Sequence, residues 1–222
     1  MNRCSSRRGS GAEATLATGV PTGNVYDKYG ARNPVARRLV ARFRRDLLEL
    51  VELAAPASLI DVGCGEGVLT ADLARGVAGP VLGVDLDDPR LVARWTVNSE
   101  PNLRYRAADA AALPAADGEF DAASAIEVLE HLPEPDAVLA EMRRAARRWL
   151  IVSVPREPLW RAANVARGAY LRSLGNTPGH VRHWSRRGFV SLLRRHGSIE
   201  AVRSPFPWTL LLVGLGPRKR DC

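Results

Sequence analysis

A glycine-rich turn beside a carboxylate is the first feature of the sequence that indicates ligand binding. Asp61 lies near the end of a short apolar run, and Gly63, Gly65 and Gly67 follow it. Glycines allow a sharp turn and let a ligand approach the main chain without a Cβ in the way. Val68 replaces the third glycine of the dinucleotide fingerprint, G-x-G-x-x-G. Because the Asp61 carboxylate would repel a pyrophosphate and attract an ammonium or sulfonium group, the turn favours a cationic adenosyl ligand without phosphates.

A second carboxylate, Asp85, follows about twenty residues later, at the end of another apolar run. In nucleotide-binding α/β folds, an acid at the tip of the strand beside the glycine turn accepts hydrogen bonds from ribose hydroxyls. We therefore expect Asp85 to bind the ribose of the same ligand.

The elements that must position these residues alternate between short apolar runs and amphipathic stretches. The predicted strands are 58–62, 80–85, 103–108, 120–126, 149–154, 199–203 and 208–215. The predicted helices are 33–55, 68–75, 89–98, 134–148, 156–174 and a last one, capped by Ser185, that runs through Arg195. This alternation predicts an α/β fold, a Rossmann-like doubly wound and mostly parallel seven-stranded sheet, with helices on both faces and an antiparallel C-terminal strand.

Four segments, in their order and spacing, resemble the motifs of class I S-adenosylmethionine-dependent methyltransferases. They are residues 61–67, Asp85, residues 107–114 and residues 120–132. The resemblance covers about residues 57–155 and implies that the cofactor is S-adenosylmethionine.

The resemblance also implies roles in cofactor binding for individual residues. Gly63 and Gly65 would line the methionine half, Asp61 would help fix its amino group, and Asp85 would hold the ribose. Leu86 would pack on the adenine or serve only as turn packing. The complete expected set is Asp61, Gly63, Gly65, Asp85, Leu86, Asp109, Ala110 and Ile126, with Asp109 bonding the exocyclic amine. For Asp121 and Cys64 we expect ordinary structural packing.

His131 is the first candidate for a catalytic base, because it follows the fourth strand at the ligand-facing end of the sheet. Methyl transfer to a hydroxyl requires that a base remove the hydroxyl proton. A structural histidine that caps the turn before Pro133 fits the sequence equally well. Glu127, Glu130 and His131 are similar to the metal-binding set of ubiquinone-biosynthesis O-methyltransferases, yet the same pattern is widespread in methyltransferases without a metal. We expect no metal.

A second histidine cluster lies in residues 179–185, after a Pro-Gly turn. His180 is the second catalytic candidate, in a loop that folds over the acceptor as a lid. His183 and Trp184 fit a helix-entry loop, in which they pack and Ser185 caps. Residues 26–29, Tyr-Asp-Lys-Tyr, resemble a segment that covers the cofactor in many family members, or form a surface turn.

The predicted helix 156–174 is basic and amphipathic. It fits a substrate cap, which together with the following loop would span residues 156–185, and it also fits peripheral contact with an anionic membrane. We favour the cap.

Composition indicates one globular domain with a distinct N-terminal tail. The chain has 222 residues, 46% apolar and 25% charged, and a net charge of +8 carried almost wholly by arginine. Residues 1–23 are predicted to be a flexible tail, and residues 24–222 a single domain. The tail lacks the apolar stretch of a secretory signal, and three scattered cysteines fit a reducing cytoplasm, where we expect the protein.

The sequence therefore predicts a methyltransferase that acts on a small-molecule acceptor, and it favours O-methylation. A methyltransferase of RNA or protein is an alternative that the basic charge supports, although the arginines lack interleaved aromatics and we do not expect a nucleic-acid partner. The third reading is a protein that binds S-adenosylmethionine without catalysis.

Overall fold

One seven-stranded sheet forms the centre of the computed structural model, which describes residues 33–166, 168 and 170–216. The strands are β1 (Leu59–Val62), β2 (Val81–Asp85), β3 (Leu103–Ala107), β4 (Phe120–Ile126), β5 (Ala146–Pro155), β6 (Ser198–Arg203) and β7 (Trp208–Gly214). Their order is β3-β2-β1-β4-β5-β7-β6. The predicted tail and residues 26–29 lie outside the described residues, so the predicted domain division stays a prediction.

The first five strands are parallel, and β7 runs antiparallel between β5 and β6. The predicted fold class is thereby confirmed. Every residue of β1 and β4 is buried, as expected for a parallel sheet covered on both faces. The order of connection reverses between β1 and β4, and in such sheets ligands bind outside the carboxyl ends of the strands at this point. The glycine turn after β1 lies there.

In the described part of the chain, six α-helices cover the two faces of the sheet. They are α1 (Pro34–Ala54), α2 (Val68–Arg75), α3 (Pro89–Trp95), α4 (Pro135–Ala145), α5 (Leu159–Ala166) and α6 (Arg186–Arg194). Successive strand residues alternate between two apolar cores, as Leu59 and Ile60 show in β1. Leu59 belongs to the core that contains α1 and α2, and Ile60 to the core that contains α4 and α6.

Local capping signals determine where several helices begin. Asn33 caps α1 by accepting a hydrogen bond from the Val35 amide, and Pro34 occupies the first turn. Ser185 caps α6 by accepting from the Gly188 amide at 3.2 Å, which confirms the predicted cap. None of the helices in the described part of the chain is long and apolar enough to cross a membrane.

The prediction of one helix over residues 156–174 is wrong. The α-helix ends at Ala166, and a 3₁₀ turn follows only at Leu171–Ser173. Gly168 has φ +73°, and Tyr170 has φ +54°, so the backbone leaves the right-handed helical region there. Asn164 donates to the Gly175 carbonyl at 2.8 Å and thereby ties the returning chain to the helix.

The predicted helix 134–148 also ends early. Residues 146–148 belong to β5, because Ala146 pairs with Phe120 of β4 and the strand continues from that pair. Sheet pairing therefore overrides the helical pattern of the arginine-rich stretch.

Candidate functional site

The glycine turn after β1 is crowded at one glycine and open at another. Gly63 has φ +73°, and a Cβ there would lie 2.5 Å from Cγ2 of Val128. Gly65 has φ +54°, and no heavy atom of its surroundings lies within 4 Å of where its Cβ would be. A side chain at position 63 would therefore collide with Val128. The space beside Gly65 is open, so a ligand can reach the main chain there.

Asp85 fastens the turn to the end of β2. Its Oδ2 accepts a hydrogen bond from the Gly65 amide at 2.6 Å, and its Oδ1 accepts one from the Leu86 amide at 2.7 Å. Burial raises the pKa of this carboxyl, whereas the two amide bonds lower it. Each carboxylate oxygen can accept more than one bond, so Asp85 retains acceptor capacity toward ribose hydroxyls.

Asp61 lies beneath the same turn, with only 3% of its surface exposed. It accepts hydrogen bonds from Thr70 Oγ1 at 2.7 Å and from Ser124 Oγ at 2.6 Å. Burial raises the pKa of Asp61 to about 6, even though the hydroxyl bonds lower it. The nearby Asp85 raises it further. Buried Asp61 and half-buried Asp85 therefore create an environment at the turn that favours a cation.

Two residues that the sequence analysis missed hold the turn from α3 and the loop after it. Trp95 donates from Nε1 to the Gly65 carbonyl at 2.8 Å, and Asn98 donates from Nδ2 to the Glu66 carbonyl at 2.8 Å. Trp95 also stacks on Tyr105, with ring centroids 5.2 Å apart. No local sequence signal marks these residues, because their partners lie about thirty positions away.

The expected adenine-side residues surround the same end of the sheet. The Ala108 amide donates to the Asp85 carbonyl at 2.8 Å, which places the segment after β3 beside the end of β2. Asp109 is exposed and accepts from the Ala111 amide at 2.8 Å, and Ala110 is half-buried. Ile126 is buried at the end of β4, and Leu86 is half-buried. Their contacts with the cofactor stay predictions.

His131 closes a short 3₁₀ turn, Leu129–His131, that follows β4. Its Nδ1 lies 3.0 Å from the Gly179 carbonyl oxygen. Because a carbonyl only accepts, this contact places a proton on Nδ1 and leaves the lone pair of a neutral imidazole on Nε2. The ring is half-buried and therefore partly accessible.

The two histidines that the sequence placed in separate clusters lie side by side. The His180 ring contacts His131 edge-on, with centroids 4.9 Å apart, and stacks near Trp160 at 6.0 Å. His180 is 6% exposed. The loop is anchored because the amides of Val181 and Arg182 donate to the Glu130 carbonyl at 2.9 and 3.1 Å.

The three residues that resemble a metal-binding set do not all come together. Glu127 instead accepts from Nε1 of Trp208 at 2.6 Å. His180 takes its place beside Glu130 and His131. One possible metal-ligand atom from each of these three residues lies within 4.8 Å of the other two. A carboxylate and two imidazoles suit a transition metal chemically. The expectation that no metal is used stays a prediction.

Asp121 and Cys64 have the structural surroundings that the sequence suggested, whereas the expected packing of His183 is wrong. Asp121 accepts from the Ala57 amide at 3.0 Å and pairs with Arg148 at 3.1 Å, at the end of the sheet opposite the glycine turn. Cys64 is buried, and burial raises the pKa of its thiol. His183 is exposed and bonds to Asn176 at 2.7 Å.

Comparisons with known sequences identify the central part of the chain. Residues 60–149 match the family described as a methyltransferase domain. Methyltransferase GfsG of Streptomyces halstedii is 39% identical over 110 residues, which are 48% of this chain and 40% of that protein. Ubiquinone biosynthesis O-methyltransferase of Methylococcus capsulatus is 31% identical over 156 residues, 62% of this chain and 65% of that protein. The chain thus spans less than two thirds of the length of either relative.

Solved structures share the fold across most of the chain. Magnesium protoporphyrin IX methyltransferase of Synechocystis PCC 6803 with bound S-adenosylmethionine has a TM-score of 0.60 and 19% identity, over 86% of this chain and 88% of that one. The [4+2]-cyclase SpnF has a TM-score of 0.63 and 19% identity, over 82% and 84%. At such identities the similarity shows the fold alone. Residues 60–149 thus match a methyltransferase domain, and the fold around them is similar to that of a methyltransferase solved with bound S-adenosylmethionine.

Proposed function

We propose that the protein binds S-adenosylmethionine and transfers its methyl group to a hydroxyl oxygen of a small-molecule acceptor. The observation that carries the proposal is the clamp between Asp85 and the Gly65 amide at 2.6 Å. It joins the glycine turn and the ribose-type acid into one site at the switch point of the sheet.

The charges of the site fit this cofactor better than they fit a dinucleotide. Asp61 and Asp85 both lie at the turn, and their negative charge would oppose a pyrophosphate there. S-adenosylmethionine carries a sulfonium and an ammonium group and no phosphate. We assign the methionine half to Asp61, Gly63 and Gly65, and the adenosine half to Asp85, Leu86 and the segment 109–110.

His131 is the proposed base for the transfer. Its Nε2 takes the proton of the acceptor hydroxyl, the oxygen lone pair attacks the methyl carbon, and the carbon–sulfur bond breaks toward sulfur. The products are the methylated acceptor, S-adenosylhomocysteine and a protonated imidazole that returns its proton to water. Nδ1, which faces the Gly179 carbonyl, holds the ring in the tautomer that this step needs.

The cap and the relatives both support a small-molecule acceptor. Residues 179–182 lie directly over the turn that carries His131, through backbone bonds to Glu130. The similarity to ubiquinone biosynthesis O-methyltransferases supports oxygen as the attacked atom. The [4+2]-cyclase neighbour, however, means that the fold alone does not imply methyl transfer, so turnover needs its own test.

Isothermal titration of the purified protein with S-adenosylmethionine, with NADH as the control, tests the cofactor. We expect binding of the methyl donor and none of NADH. A panel of phenols, quinols and sugars is then offered with a donor that carries a labelled methyl group, and label in a hydroxyl-bearing acceptor supports the transfer. Label in tRNA or protein instead would support the alternative, and binding without any transfer would support a non-catalytic role.

A surface on the cap supports contact with an anionic membrane as a further part of this function. Five of the exposed large apolar side chains in the described residues lie within 165–181, and Leu174 is the most exposed of them at 72%. They are Val165, Tyr170, Leu171, Leu174 and Val181. Arg172 and Arg182 are exposed among them, and apolar side chains among arginines suit an anionic lipid surface.

Co-sedimentation with vesicles tests this contact. We expect binding to phosphatidylglycerol vesicles and not to phosphatidylcholine vesicles, with loss of binding when Leu171 and Leu174 are changed to Asp. Val92→Asp, an exposed apolar position on α3, is the matched control. Equal sedimentation of all three proteins would contradict the proposal.

A further inference from the structure

A buried threonine connects the cap helix to the loop that carries His180. Thr177 is 2% exposed, and its Oγ1 accepts a hydrogen bond from Nε1 of Trp160 at 2.8 Å. The same oxygen accepts a second bond from Nδ2 of Asn164 at 3.2 Å. One hydroxyl therefore receives two donors from α5, in a place from which water is excluded and where each lost bond is costly.

The contacts of Thr177 fix the position of His180. The His180 amide donates to the Thr177 carbonyl at 3.1 Å, so the two residues share one tight turn. The N–H of the Trp160 ring donates to the Thr177 hydroxyl. The same ring stacks near the His180 ring. Asn164 closes the arrangement by donating also to the Gly175 carbonyl at 2.8 Å.

His180 also contacts the proposed base, His131. The His180 ring lies edge-on against His131, with centroids 4.9 Å apart, and the adjacent Gly179 carbonyl contacts Nδ1 of His131 at 3.0 Å. Any displacement of the turn at residues 177–180 therefore moves both groups that orient the His131 ring.

We propose that Thr177 is a positioning residue, whose hydroxyl seats His180 and the Gly179 carbonyl against His131 and thereby orients the base. The inference rests on the proposed function. The cap thereby takes part in the catalytic arrangement in addition to covering the site. Helix α5 and the turn at residues 177–180 affect the reaction through His131.

Thr177→Val tests the proposal, because valine keeps the shape of threonine and removes the oxygen that both donors need. Thr177→Ser keeps the oxygen and is the matched control. With an acceptor that the wild type methylates, we expect kcat of Thr177→Val to fall about ten- to a hundredfold, as misplacement of a catalytic group does. The limb of the kcat–pH profile that reports the base should shift or vanish. Thr177→Ser should stay near wild type in both, and the Kd of S-adenosylhomocysteine should be unchanged in both variants.

A measurement without turnover separates this inference from the proposed function. The chain has four histidines, so selective ¹³C labelling of histidine gives few ring signals. We expect a nuclear Overhauser contact between the His131 and His180 rings in the wild type and in Thr177→Ser, and its loss in Thr177→Val. If that pattern appears but no acceptor is ever methylated, the proposed function fails and the positioning role of Thr177 stands.

The opposite outcomes overturn the inference. They are an unchanged ring contact in Thr177→Val, an unchanged kcat and pH profile, or equal losses in Thr177→Val and Thr177→Ser. Should Thr177→Val not fold, Trp160→Phe decides, because it removes the N–H donor and keeps a ring beside His180. Loss of the ring contact in that variant supports the proposal, and its persistence refutes it.

Discussion

Trp208 at the start of β7 donates a hydrogen bond from Nε1 to Oε1 of Glu127 at 2.6 Å, and this contact fixes the Glu127 carboxylate against the sheet. Glu127 follows β4 directly and has φ +57°, a conformation that few non-glycine residues adopt. Its amide donates to Ser153 Oγ at 3.1 Å, so backbone and side chain are both held by neighbouring strands. The carboxylate is thereby bonded to the sheet, and Glu127 is not one of the three residues, Glu130, His131 and His180, whose ligand atoms lie within 4.8 Å of one another.

Removal of the indole N–H should destabilise the protein. We expect Trp208→Phe to lower the free energy of unfolding by about 1–3 kcal/mol, since a buried bond to a carboxylate is lost. Trp149→Phe is the matched control, because Nε1 of Trp149 is buried without a hydrogen-bond partner among the described residues. Urea denaturation of both variants measures the difference. Equal losses would show that ring volume, and not the hydrogen bond, matters.

Asp85→Ala should weaken binding of S-adenosylmethionine. The variant loses the acceptor for the Gly65 and Leu86 amides and the proposed ribose contacts. Bonds to a charged group contribute about 1.5–3 kcal/mol, which corresponds to an increase in Kd of about ten- to a hundredfold or more. Isothermal titration measures the Kd, with Asp87→Ala at an exposed neighbouring position as the control. A Kd like that of the wild type would remove Asp85 from the cofactor site.

His131→Ala should lower turnover while cofactor binding persists. The variant lacks the proposed base for the hydroxyl proton, and we expect kcat to fall about a hundredfold or more. The exposed His183 gives the control variant, His183→Ala. Steady-state kinetics over a range of pH values measure the effect. Full turnover of His131→Ala at every pH would exclude this residue as the base.

Protonation of Asp61 should make stability depend on pH. The pKa of Asp61 is about 6 in the folded protein and 3.8 in the unfolded chain. At pH values between these two, the folded state therefore holds more protons than the unfolded state. The free energy of unfolding therefore decreases as pH rises from about 4 to 6, by about 3 kcal/mol for this group.

Asp61→Asn removes the titratable carboxyl group, so its free energy of unfolding should not fall between about pH 4 and 6 for this reason. The difference in free energy of unfolding between the variant and the wild type should therefore change over this pH range. Asp87→Asn serves as the control, and urea denaturation at pH 4, 5, 6 and 7 gives the comparison. Parallel curves for wild type and Asp61→Asn would show that Asp61 does not titrate in this range.

Cys64 should resist thiol reagents in the folded protein. The side chain is buried, and burial raises the pKa of its thiol, which lowers the fraction of reactive thiolate. In a variant in which Cys4 and Cys222 are both serine, we expect slow reaction with a disulfide reagent at pH 8 and fast reaction after denaturation. Fast reaction of the native protein would mean that the turn opens.

The cofactor end of the site could be read from the sequence because its signals are local. A glycine turn after β1 and an acid at the end of β2 are each determined by strand length and neighbouring residues. Parallel strands bring their carboxyl ends to one edge, so Asp85 meets Gly65 as a consequence of the fold class. Capping chemistry likewise located Ser185 at the start of α6.

The acceptor end could not be read in this way. Helical periodicity over residues 156–174 reports which side chains are apolar, and does not report that Asn164 binds the Gly175 carbonyl and turns the chain back. His131 and His180 are 49 positions apart, and the chain brings them into contact where the amides of Val181 and Arg182 bond to the Glu130 carbonyl.

The sequence by itself thus determined the fold class, the cofactor turn and the catalytic candidates, since these depend on periodicity and on short-range spacing. Only the tertiary structure decided that Glu127 binds Trp208, that the His180 ring contacts the His131 ring, and that Thr177 binds Trp160. These contacts connect loops from opposite parts of the chain. The geometry of these contacts is determined by packing across the end of the sheet. Residues that are adjacent in the sequence carry no information about that packing.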